Sequence, residues 1–499
     1  MDSTLVFSDD QPASTIHNRV SRGELARLAP GVYTTETQRK PEDVVRDHMF
    51  EIIGRLMPDG VITDRSARSG TAVDGVLYLA RVGRVRDLAL PGLTVRARSG
   101  AAPQPGDIPY PGGLYLASRP RGLAENCLLS RARSRRRRTL DADELGDWVD
   151  YICQNDGPER LTTYRRQAEE LAPDLGVGPE HLALLQSLIG IALGTRPGEH
   201  TTSRLLTARR EGNPVDQVRV RRFEALRDAL RQAAPQAHSA DPDPSRYTYL
   251  PFFEAYFSNF IEGTEFEVDE AARIVFDHEI PANRPEDAHD VIGAYRLVAD
   301  SDEMLHTGAD PDDFITLVKR RNATIMEGRP DKRPGAFKDR ANRAGATYFV
   351  SAELVEGTLK AAFRLRDELD TAWEKAVFIA FVVAEVHPFD DGNGRTARVM
   401  MNAELHAGGQ TRIIVPTVFR EDYLDGLRVL SRQDDPTVFI KAMRYAHDFT
   451  ASIDFAHYAE AKRLLARANA FNEPGSAQRL QVLGLPSAKR QSPATWRAS

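Results

Sequence analysis

The stretch WEKAVFIAFVVAEVHPFDDGNGRTAR, residues 373–398, decides the fold of the second half of the chain. Its first part is apolar over the length of a helix, which predicts the buried central helix of a bundle. His387 ends this run, and Pro388 cannot continue a regular helix. A glycine-containing turn follows at residues 391–394, and a second helix is predicted to begin at about residue 395. The stretch therefore predicts two helices joined by a tight loop that carries a histidine.

The same loop places a base, a carboxylate and an anion cradle close together. A helix start offers unpaired N–H groups and a partial positive charge, and glycines let the backbone line a nest for phosphate oxygens. Arg395 and Arg398 leave one face of the second helix, which suits a polyphosphate. Asp391 offers a hard oxygen of the kind that Mg²⁺ prefers. His387 has the pKa range needed to take a proton from an alcohol near neutral pH.

Residues 387–398, HPFDDGNGRTAR, resemble the signature HPFx(D/E)GNGRxxR of the Fic family of AMP transferases at every specified position. The resemblance implies that a target Tyr, Thr or Ser hydroxyl attacks the α-phosphate of ATP and that pyrophosphate leaves. It makes His387 the base and Asp391 the ligand of Mg²⁺. It assigns nucleotide binding to Gly392, Asn393, Gly394, Arg395 and Arg398.

A second family feature lies in FFEAYFSNFIEGTEF, residues 252–266. Ser258, Glu262 and Gly263 match the inhibitory pattern (S/T)xxxE(G/N) of the Fic family. The resemblance implies that Glu262 pairs with Arg398, denies the γ-phosphate its partner and holds the resting enzyme off. The alternative is that a helical Ser and Glu form an ordinary solvated face, since three specified positions recur often by chance.

The segment NRAGATYFV, residues 342–350, predicts a short hairpin. In Fic relatives this flap binds the backbone of the target by adding it as a strand. Thr347, Tyr348 and Phe349 are the candidate target-binding residues. A surface hairpin without a ligand fits the same residues equally well.

Composition bounds the remaining interpretations. With 499 residues, the chain is expected to form two to four domains. The net charge of -6 argues against a surface that is basic overall, and the two cysteines exclude a disulfide framework or a thiolate zinc cage. The amino terminus has no secretory signal pattern, so a cytoplasmic protein without membrane contact is expected.

The apolar spacing changes along the chain and suggests a division into domains. We expect a multidomain protein with a mainly α-helical Fic bundle in the carboxy-terminal half, preceded by an α+β region with a partial winged helix. The predicted parts are a winged-helix-like remnant at 1–40, an α+β module at 41–140, a helical extension at 141–233, a linker at 234–245, the Fic domain with its inhibitory helix at 246–465 and a loose tail at 466–499.

The run STIHNRVSRGELARLAPGVYT, residues 14–34, resembles the recognition helix and wing of AbiEi-type antitoxins, which autoregulate transcription. The resemblance implies DNA as a partner. Residues 1–40 contain five Lys/Arg and five Asp/Glu, however, which leaves DNA binding and a protein-contact or vestigial domain both open. The basic run RARSRRRR, residues 131–138, is the second place to test for nucleic acid, although such runs are more often solvated faces.

Two functions from different classes follow from these patterns. In the first, the protein is an autoinhibited AMP transferase that modifies a target protein, with self-modification as a further outcome. In the second, it is a DNA-binding transcriptional regulator or antitoxin-like protein whose Fic domain senses nucleotide. The intact signature favours the first function, while a nucleotide-derived or phosphate-containing donor other than ATP fits the same residues.

Overall fold

The computed structural model describes residues 4–128, 130, 137–196, 203–233, 237–340, 342–344 and 347–484. The chain divides into two compact units, Met1–Gly212 and Asn213–Ser499. Residues 131–136, which hold much of the predicted basic run, lie outside the described residues, as do residues 485–499 of the predicted tail.

The first unit begins with a small antiparallel sheet in the order β1-β3-β2. The turn between β2 and β3 passes through Gly31, which has a φ of 78°. Glycine adopts such a positive φ at little steric cost. This hairpin lies within the run, residues 14–34, that resembles a recognition helix and wing, while the winged helix and DNA binding remain predictions. The elements are β1 (Leu5–Phe7), α1 (Ala13–Ser21), β2 (Ala26–Ala29) and β3 (Val32–Thr34).

A larger sheet of six strands follows in the order β6-β7-β5-β4-β9-β8, with both parallel and antiparallel pairs. Helix α2 shares a core with this sheet, in which Val45 and Ile53 are buried together with Leu77 and Val95. The elements are α2 (Pro41–Leu56), β4 (Val61–Ile62), β5 (Val76–Arg81), β6 (Leu88–Leu90), β7 (Leu93–Ser99), β8 (Ile108–Tyr110) and β9 (Leu114–Leu116).

Helices complete the first unit around a second core that includes Trp148, Leu185 and Ile189. Helix α4 begins with a capping box in which Asp141 and Glu144 each bond the backbone N–H of the other. The helices are α3 (Arg119–Asn126), α4 (Ala142–Asp156), α5 (Pro158–Leu171), α6 (Pro179–Ala192) and α7 (Arg204–Arg210).

The second unit is helical apart from one short hairpin, as far as the structure describes it. Its helices are α8 (Gln217–Gln232), α9 (Leu250–Ile261), α10 (Val268–Ala272), α11 (Pro285–Ala299), α12 (Ser301–Met304), α13 (Pro311–Ile325), α14 (Val355–Arg366), α15 (Ala372–Val386), α16 (Asn393–Ala407), α17 (Arg420–Gln433), α18 (Thr437–Ala451) and α19 (Tyr458–Arg467). The hairpin pairs β10 (Arg343–Ala344) with β11 (Thr347–Tyr348). The predicted fold class, an α+β region followed by a mainly helical half, is confirmed.

Helix α15 is the centre of the second unit. A capping box of Thr371 and Glu374 starts it, and nearly every residue from Trp373 to Val386 is buried. Helix α16 packs along α15 and is buried over most of its own length. The sequence predicts this pair, because an apolar run that continues around the whole helix needs cover on all sides.

Helix α8 belongs to the second unit, which differs from the predicted helical extension at 141–233 and linker at 234–245. Phe223 is fully buried, and its ring meets the edges of Phe378 and Phe381 at centroid distances of 6.2 and 6.1 Å. The chain therefore divides ahead of α8. The predicted linker is also held in its described part, because the carbonyl of His238 accepts a bond from the N–H of Thr411 at 2.8 Å.

The tail predicted as loose from residue 466 packs on the core over its first part. Leu480 and Val482 are buried, and the Tyr445 hydroxyl donates to the carbonyl of Leu480 at 2.7 Å. The prediction missed this contact because two isolated apolar residues carry no periodic pattern. Within the described residues, no helix combines the length and apolarity needed to span a membrane.

The placement of α8 predicts a large effect of Phe223→Ala on the second unit. Loss of a fully buried ring is expected to lower the free energy of unfolding by about 3–5 kcal/mol. The measurement is guanidinium unfolding of a fragment of residues 213–499. Arg221→Ala is the matched control, because Arg221 is exposed on the same helix and its loss should change stability by no more than about 0.5 kcal/mol. Equal stability of the two variants would place α8 outside this core.

Candidate active site

The loop between α15 and α16 is built on a left-handed residue. His387 follows the last residue of α15 with φ 51° and ψ 60°, a conformation that residues other than glycine rarely adopt. This conformation ends the helix and turns the chain, so the loop returns to start α16 beside α15. The histidine is thereby fixed at the end of a helix that is buried over most of its length.

The imidazole of His387 is oriented by two contacts. Its Nδ1 lies 3.3 Å from the carbonyl oxygen of Ala384, so Nδ1 carries the hydrogen and Nε2 keeps its lone pair. The ring also stacks on Phe349, with centroids 3.8 Å apart and planes within 6°. A neutral imidazole held in this way presents Nε2 as a proton acceptor.

The surroundings of His387 keep it neutral. Burial disfavours the imidazolium and, together with the positive charge of Lys338, lowers the pKa of His387 from 6.5 to about 4. The carboxylates of Glu262 and Asp391 act in the opposite direction but do not offset the burial. At neutral pH the side chain is therefore a base.

Asn393 closes the loop onto itself. Its Oδ1 accepts a bond from the N–H of Phe389 at 2.8 Å, and its Nδ2 donates to the carbonyl of Phe389 at 2.9 Å. Phe389 and Asn393 are both buried. Gly392 starts α16 with φ 75°, and a side chain there would press on the Met326 sulfur at 2.6 Å. The predicted anion-binding turn is thus held from within by its own asparagine.

Asp391 is the residue that could hold a metal ion. Its Oδ1 accepts the N–H of Gly392 at 2.6 Å and lies 3.5 Å from Arg395, while 41% of the side chain is exposed. The part of the chain that the structure describes contains no cluster of three or more His, Cys, Asp or Glu suited to a metal. One exposed carboxylate fits Mg²⁺, which usually keeps several waters and takes further ligands from substrate phosphates.

Arg395 lies beneath the start of α16. Its Nη1 is 2.5 Å from Asp290 and 3.3 Å from the side-chain oxygen of Asn259, and the whole side chain is buried. Asp290 is fully buried and also binds Arg329 at 2.9 Å. The guanidinium predicted to bind nucleotide is therefore occupied by a carboxylate from α11.

Arg398 is held by the end of α9. Its Nε donates to the Ser258 hydroxyl at 2.9 Å, and its Nη2 donates to the Ser258 carbonyl at 2.8 Å and to Glu262 at 2.6 Å. Gly263 then leaves the helix with φ 90°. The structure thus brings together Ser258, Glu262 and Arg398, as the inhibitory pattern predicts.

The carboxylate of Glu262 lies against the first turn of α16. A side chain at Gly394 would collide with Glu262 Oε1, so the two residues are in direct contact. Burial raises the pKa of Glu262, but the neighbouring positive groups, Arg398 first, together outweigh it, and the net pKa is below its ordinary value. Glu262 is therefore charged at neutral pH, at a place where the positive helix start and Arg398 would otherwise face a phosphate.

An open cleft of about 500 Å³ connects these groups, a size typical of small-molecule sites. Of the predicted site residues, it is lined by Glu262, Thr347, Phe349, His387, Gly394 and Arg398. The other predicted residues do not line it: Ser258, Gly263, Tyr348, Asp391, Gly392, Asn393 and Arg395.

One wall of the cleft was not identified from the sequence. Tyr423, Leu424 and Leu427 of α17 form this wall together with Phe381 of α15. Tyr423 also hydrogen-bonds the guanidinium of Arg398. The only available signal was the apolar spacing of α17, and this spacing does not distinguish a cleft wall from a core face.

The flap lies at the mouth of the cleft. Thr347 accepts a bond from Arg432 of α17 at 3.1 Å, and Phe349 covers one face of the His387 ring. Tyr348 is exposed, and its carbonyl accepts a bond from Arg219 of α8. The three predicted flap residues therefore face in different directions, and only Thr347 and Phe349 turn toward the cleft.

Comparison with known proteins supports the resemblance. Residues 314–405 match the family model described as Fic/DOC family. "Protein adenylyltransferase Fic" of Culex quinquefasciatus is 26% identical over 288 residues, which are 56% of this chain and 54% of that protein. "Protein adenylyltransferase fic-1" of Caenorhabditis briggsae is 27% identical over 259 residues, 49% of this chain and 48% of that protein. The chain spans about half the length of these curated relatives.

Solved structures with the same family name also match. Fic-1 of Caenorhabditis elegans covers 64% of this chain and 96% of its own, at 20% identity and a TM-score of 0.36. A Fic-domain signalling protein of Bacteroides thetaiotaomicron covers 46% of this chain and 92% of its own, at 18% identity and a TM-score of 0.36. The signature at residues 387–398 lies inside the match to the Fic/DOC family model, so residues 314–405 carry the domain that this model describes.

Proposed function

We propose that this protein is a protein adenylyltransferase that moves AMP from ATP to a Tyr, Thr or Ser hydroxyl of a target protein. The observation that carries the proposal is the neutral His387, whose Nδ1 faces the Ala384 carbonyl and leaves Nε2 to accept a proton, and which lines the same cleft as Gly394 and Arg398. The names of the relatives, which are protein adenylyltransferases, agree with this reaction.

The reaction needs a base beside a bound polyphosphate. The target oxygen attacks the α-phosphorus and forms a new P–O bond, while His387 Nε2 takes the hydroxyl proton. The bond from the α-phosphorus to the bridging oxygen breaks, and pyrophosphate leaves with that electron pair.

The start of α16 and Arg398 would bind the phosphates. The amides of Gly392, Asn393 and Gly394 lie at the positive end of a helix, and Arg398 supplies a permanent charge beside them. Arg395 adds charge from beneath, although it would have to leave Asp290 to touch a phosphate. Mg²⁺ held by Asp391 would neutralise phosphate charge when bound.

Glu262 would keep this site off. Its carboxylate occupies Arg398 at 2.6 Å and lies against Gly394, so a γ-phosphate would meet both a negative charge and an engaged arginine. Ser258 holds the same guanidinium from the other side, which fixes it in the position that Glu262 binds. Transfer would therefore require Glu262 to move away.

DNA binding through the first unit, self-modification and a donor other than ATP stay predictions. The target would be recognised through the flap residues Thr347, Tyr348 and Phe349.

Replacing Glu262 by Gly is expected to raise incorporation of label from α-³²P-ATP into the protein itself or into lysate proteins at least about tenfold, or about 1.4 kcal/mol. The physical reason is that Arg398 and the start of α16 become free for phosphate. Glu265→Gly is the matched control, because Glu265 is exposed on the same connection between α9 and α10. Equal labelling of the two folded variants would reject the inhibitory role.

His387→Ala in the Glu262→Gly background is expected to abolish labelling, because no proton acceptor remains at the target hydroxyl. Calorimetric titration with ATP should show that the double variant still binds nucleotide, which separates loss of the base from loss of the fold. Continued transfer by a variant that binds ATP normally would mean that another group is the base.

The pH profile reports the state of His387 directly. A base acts in its neutral form, so a His387 pKa of about 4 predicts a rate that is level at neutral pH and falls only below about pH 5. Removal of Glu262, whose charge raises the pKa of His387, moves this limb further toward acid. The measurement is kcat/KM of the Glu262→Gly variant across the acid range. An inflection near 6.5 would show that the imidazole is not perturbed as the structure implies.

A further inference from the structure

Lys338, just ahead of the flap, and Asn342, its first residue, bind the loop of His387 through the loop backbone. The N–H of Lys338 donates to the carbonyl of Pro388 at 2.9 Å, and its Nζ donates to the carbonyl of Val386 at 3.3 Å. Asn342 Nδ2 donates to the carbonyl oxygens of His387 at 3.3 Å and Phe389 at 3.1 Å. All the carbonyls of residues 386–389 thus receive a hydrogen bond from these two residues.

These carbonyls need partners for a structural reason. The last carbonyls of a helix find no N–H donor within the helix. The left-handed turn at His387 directs the carbonyls that follow away from α15. Val386 and Phe389 are buried, so water does not replace the missing donors readily. The two residues therefore supply donors for the carbonyls of residues 386–388 and a second donor for that of Phe389, which Asn393 also bonds.

Lys338 is an unusual choice for such a place. It is buried, with 3% of its surface exposed, and its Nζ donates to two neutral oxygens, those of Val386 and Asn342, the latter at 2.6 Å. Among the described residues it forms no ion pair with a carboxylate within 4 Å. Lysine is rarely buried unless it is paired, which indicates that the charge serves the site rather than the stability of the fold.

Asn342 also joins the loop to the flap. Its carbonyl accepts a bond from the N–H of Phe349 at 3.3 Å, and the ring of Phe349 stacks on His387. The backbone carbonyl and the side chain of His387 are therefore both held by the same short segment. A displacement of Asn342 would loosen the ring and the turn together.

We propose that Lys338 and Asn342 are positioning residues for the catalytic base: they bracket residues 386–389 and hold His387 in the left-handed turn that aims its imidazole into the cleft. The inference rests on the proposed function for its kinetic test only. It adds to that function a second element, outside the signature, on which the geometry of the base depends.

The ammonium of Lys338 has a further effect through its charge. It disfavours the imidazolium of His387, whereas the carboxylates of Glu262 and Asp391 favour it. Burial and the charge of Arg219 lower the pKa of Lys338 itself to about 8, against the opposing effects of Asp390 and Glu353. Lys338 therefore carries most of its charge at neutral pH, where transfer would take place.

The test uses Lys338→Met in the full-length Glu262→Gly protein, because methionine keeps the apolar stem and removes both the charge and the donor. The kcat for transfer is expected to fall at least about tenfold while KM for ATP changes less than about threefold. Lys338→Arg, which keeps a charge and donors, is expected to restore much of the rate. Lys332→Met, at an exposed lysine of the same segment, is the matched control.

A second readout does not depend on transfer. NMR titration of the His387 imidazole, assigned by comparison with His387→Ala, should show a higher pKa in Lys338→Met than in the parent protein. A shift in the pKa of His387 without transfer by any variant would contradict the proposed function but support the positioning role of Lys338 and Asn342. An unchanged pKa of His387 together with an unchanged kcat would overturn the positioning role of Lys338 and Asn342.

Asn342→Ala covers the case in which Lys338→Met does not fold. It removes the two donors to His387 and Phe389 but keeps the charge of Lys338. The expected result is a lower kcat with KM for ATP little changed, and a weakened contact between Phe349 and His387 seen as a change in the chemical shifts of that ring. A normal kcat with unchanged shifts would overturn the proposal.

Discussion

The left-handed turn at His387 is the constraint on which the rest of the site depends. It ends a helix that is buried on all sides, and it sends the chain back at once to begin α16 alongside. Because the turn is tight, His387, Gly394 at the start of the second helix and Arg398 are brought to one cleft by a short stretch of chain. The same tightness leaves carbonyls exposed to an apolar interior, so the turn needs external donors as well as the internal clamp that Asn393 makes on Phe389.

A single guanidinium, that of Arg398, joins that cleft to the end of α9. Arg398 is buried, and the side of its guanidinium that faces the cleft can bind one anion at a time. Glu262 now occupies that side. The remaining side of Arg398 is bound by Ser258, which keeps the guanidinium in place whether or not the carboxylate stays. About a third of the Glu262 side chain, 32%, is exposed, so the carboxylate has a route to water that Arg398 lacks. The asymmetry favours movement of the glutamate, at the end of α9, over movement of the arginine.

Local features were predictable from the sequence, and partners distant in the chain were not. The run from Trp373 to Val386 and the signature after it are contiguous, so periodicity and motif predict both helices and the loop. Helical spacing placed Arg395 and Arg398 on one face of α16 but could not predict how deeply each side chain is buried. Arg395 is buried because it pairs with Asp290 on α11. In the same way, helical spacing predicted a helix at α8 but not the core that it joins. That core is formed with Phe378 and Phe381, which lie far along the chain.

The flap shows how the second unit connects its first helix to the chemistry. The carbonyl of Tyr348 accepts a bond from Arg219 of α8, and Arg219 also pairs with Glu385 at 3.2 Å, two residues before His387. Strand addition at a hairpin edge uses outward backbone groups of this kind. A target strand that needed the Tyr348 carbonyl would therefore have to displace Arg219 Nη2, while Arg219 Nε and Arg222 both contact Glu385. Under the proposed function, binding of a target at the flap would therefore disturb a contact of α8, the helix that also pairs with Glu385 beside the loop.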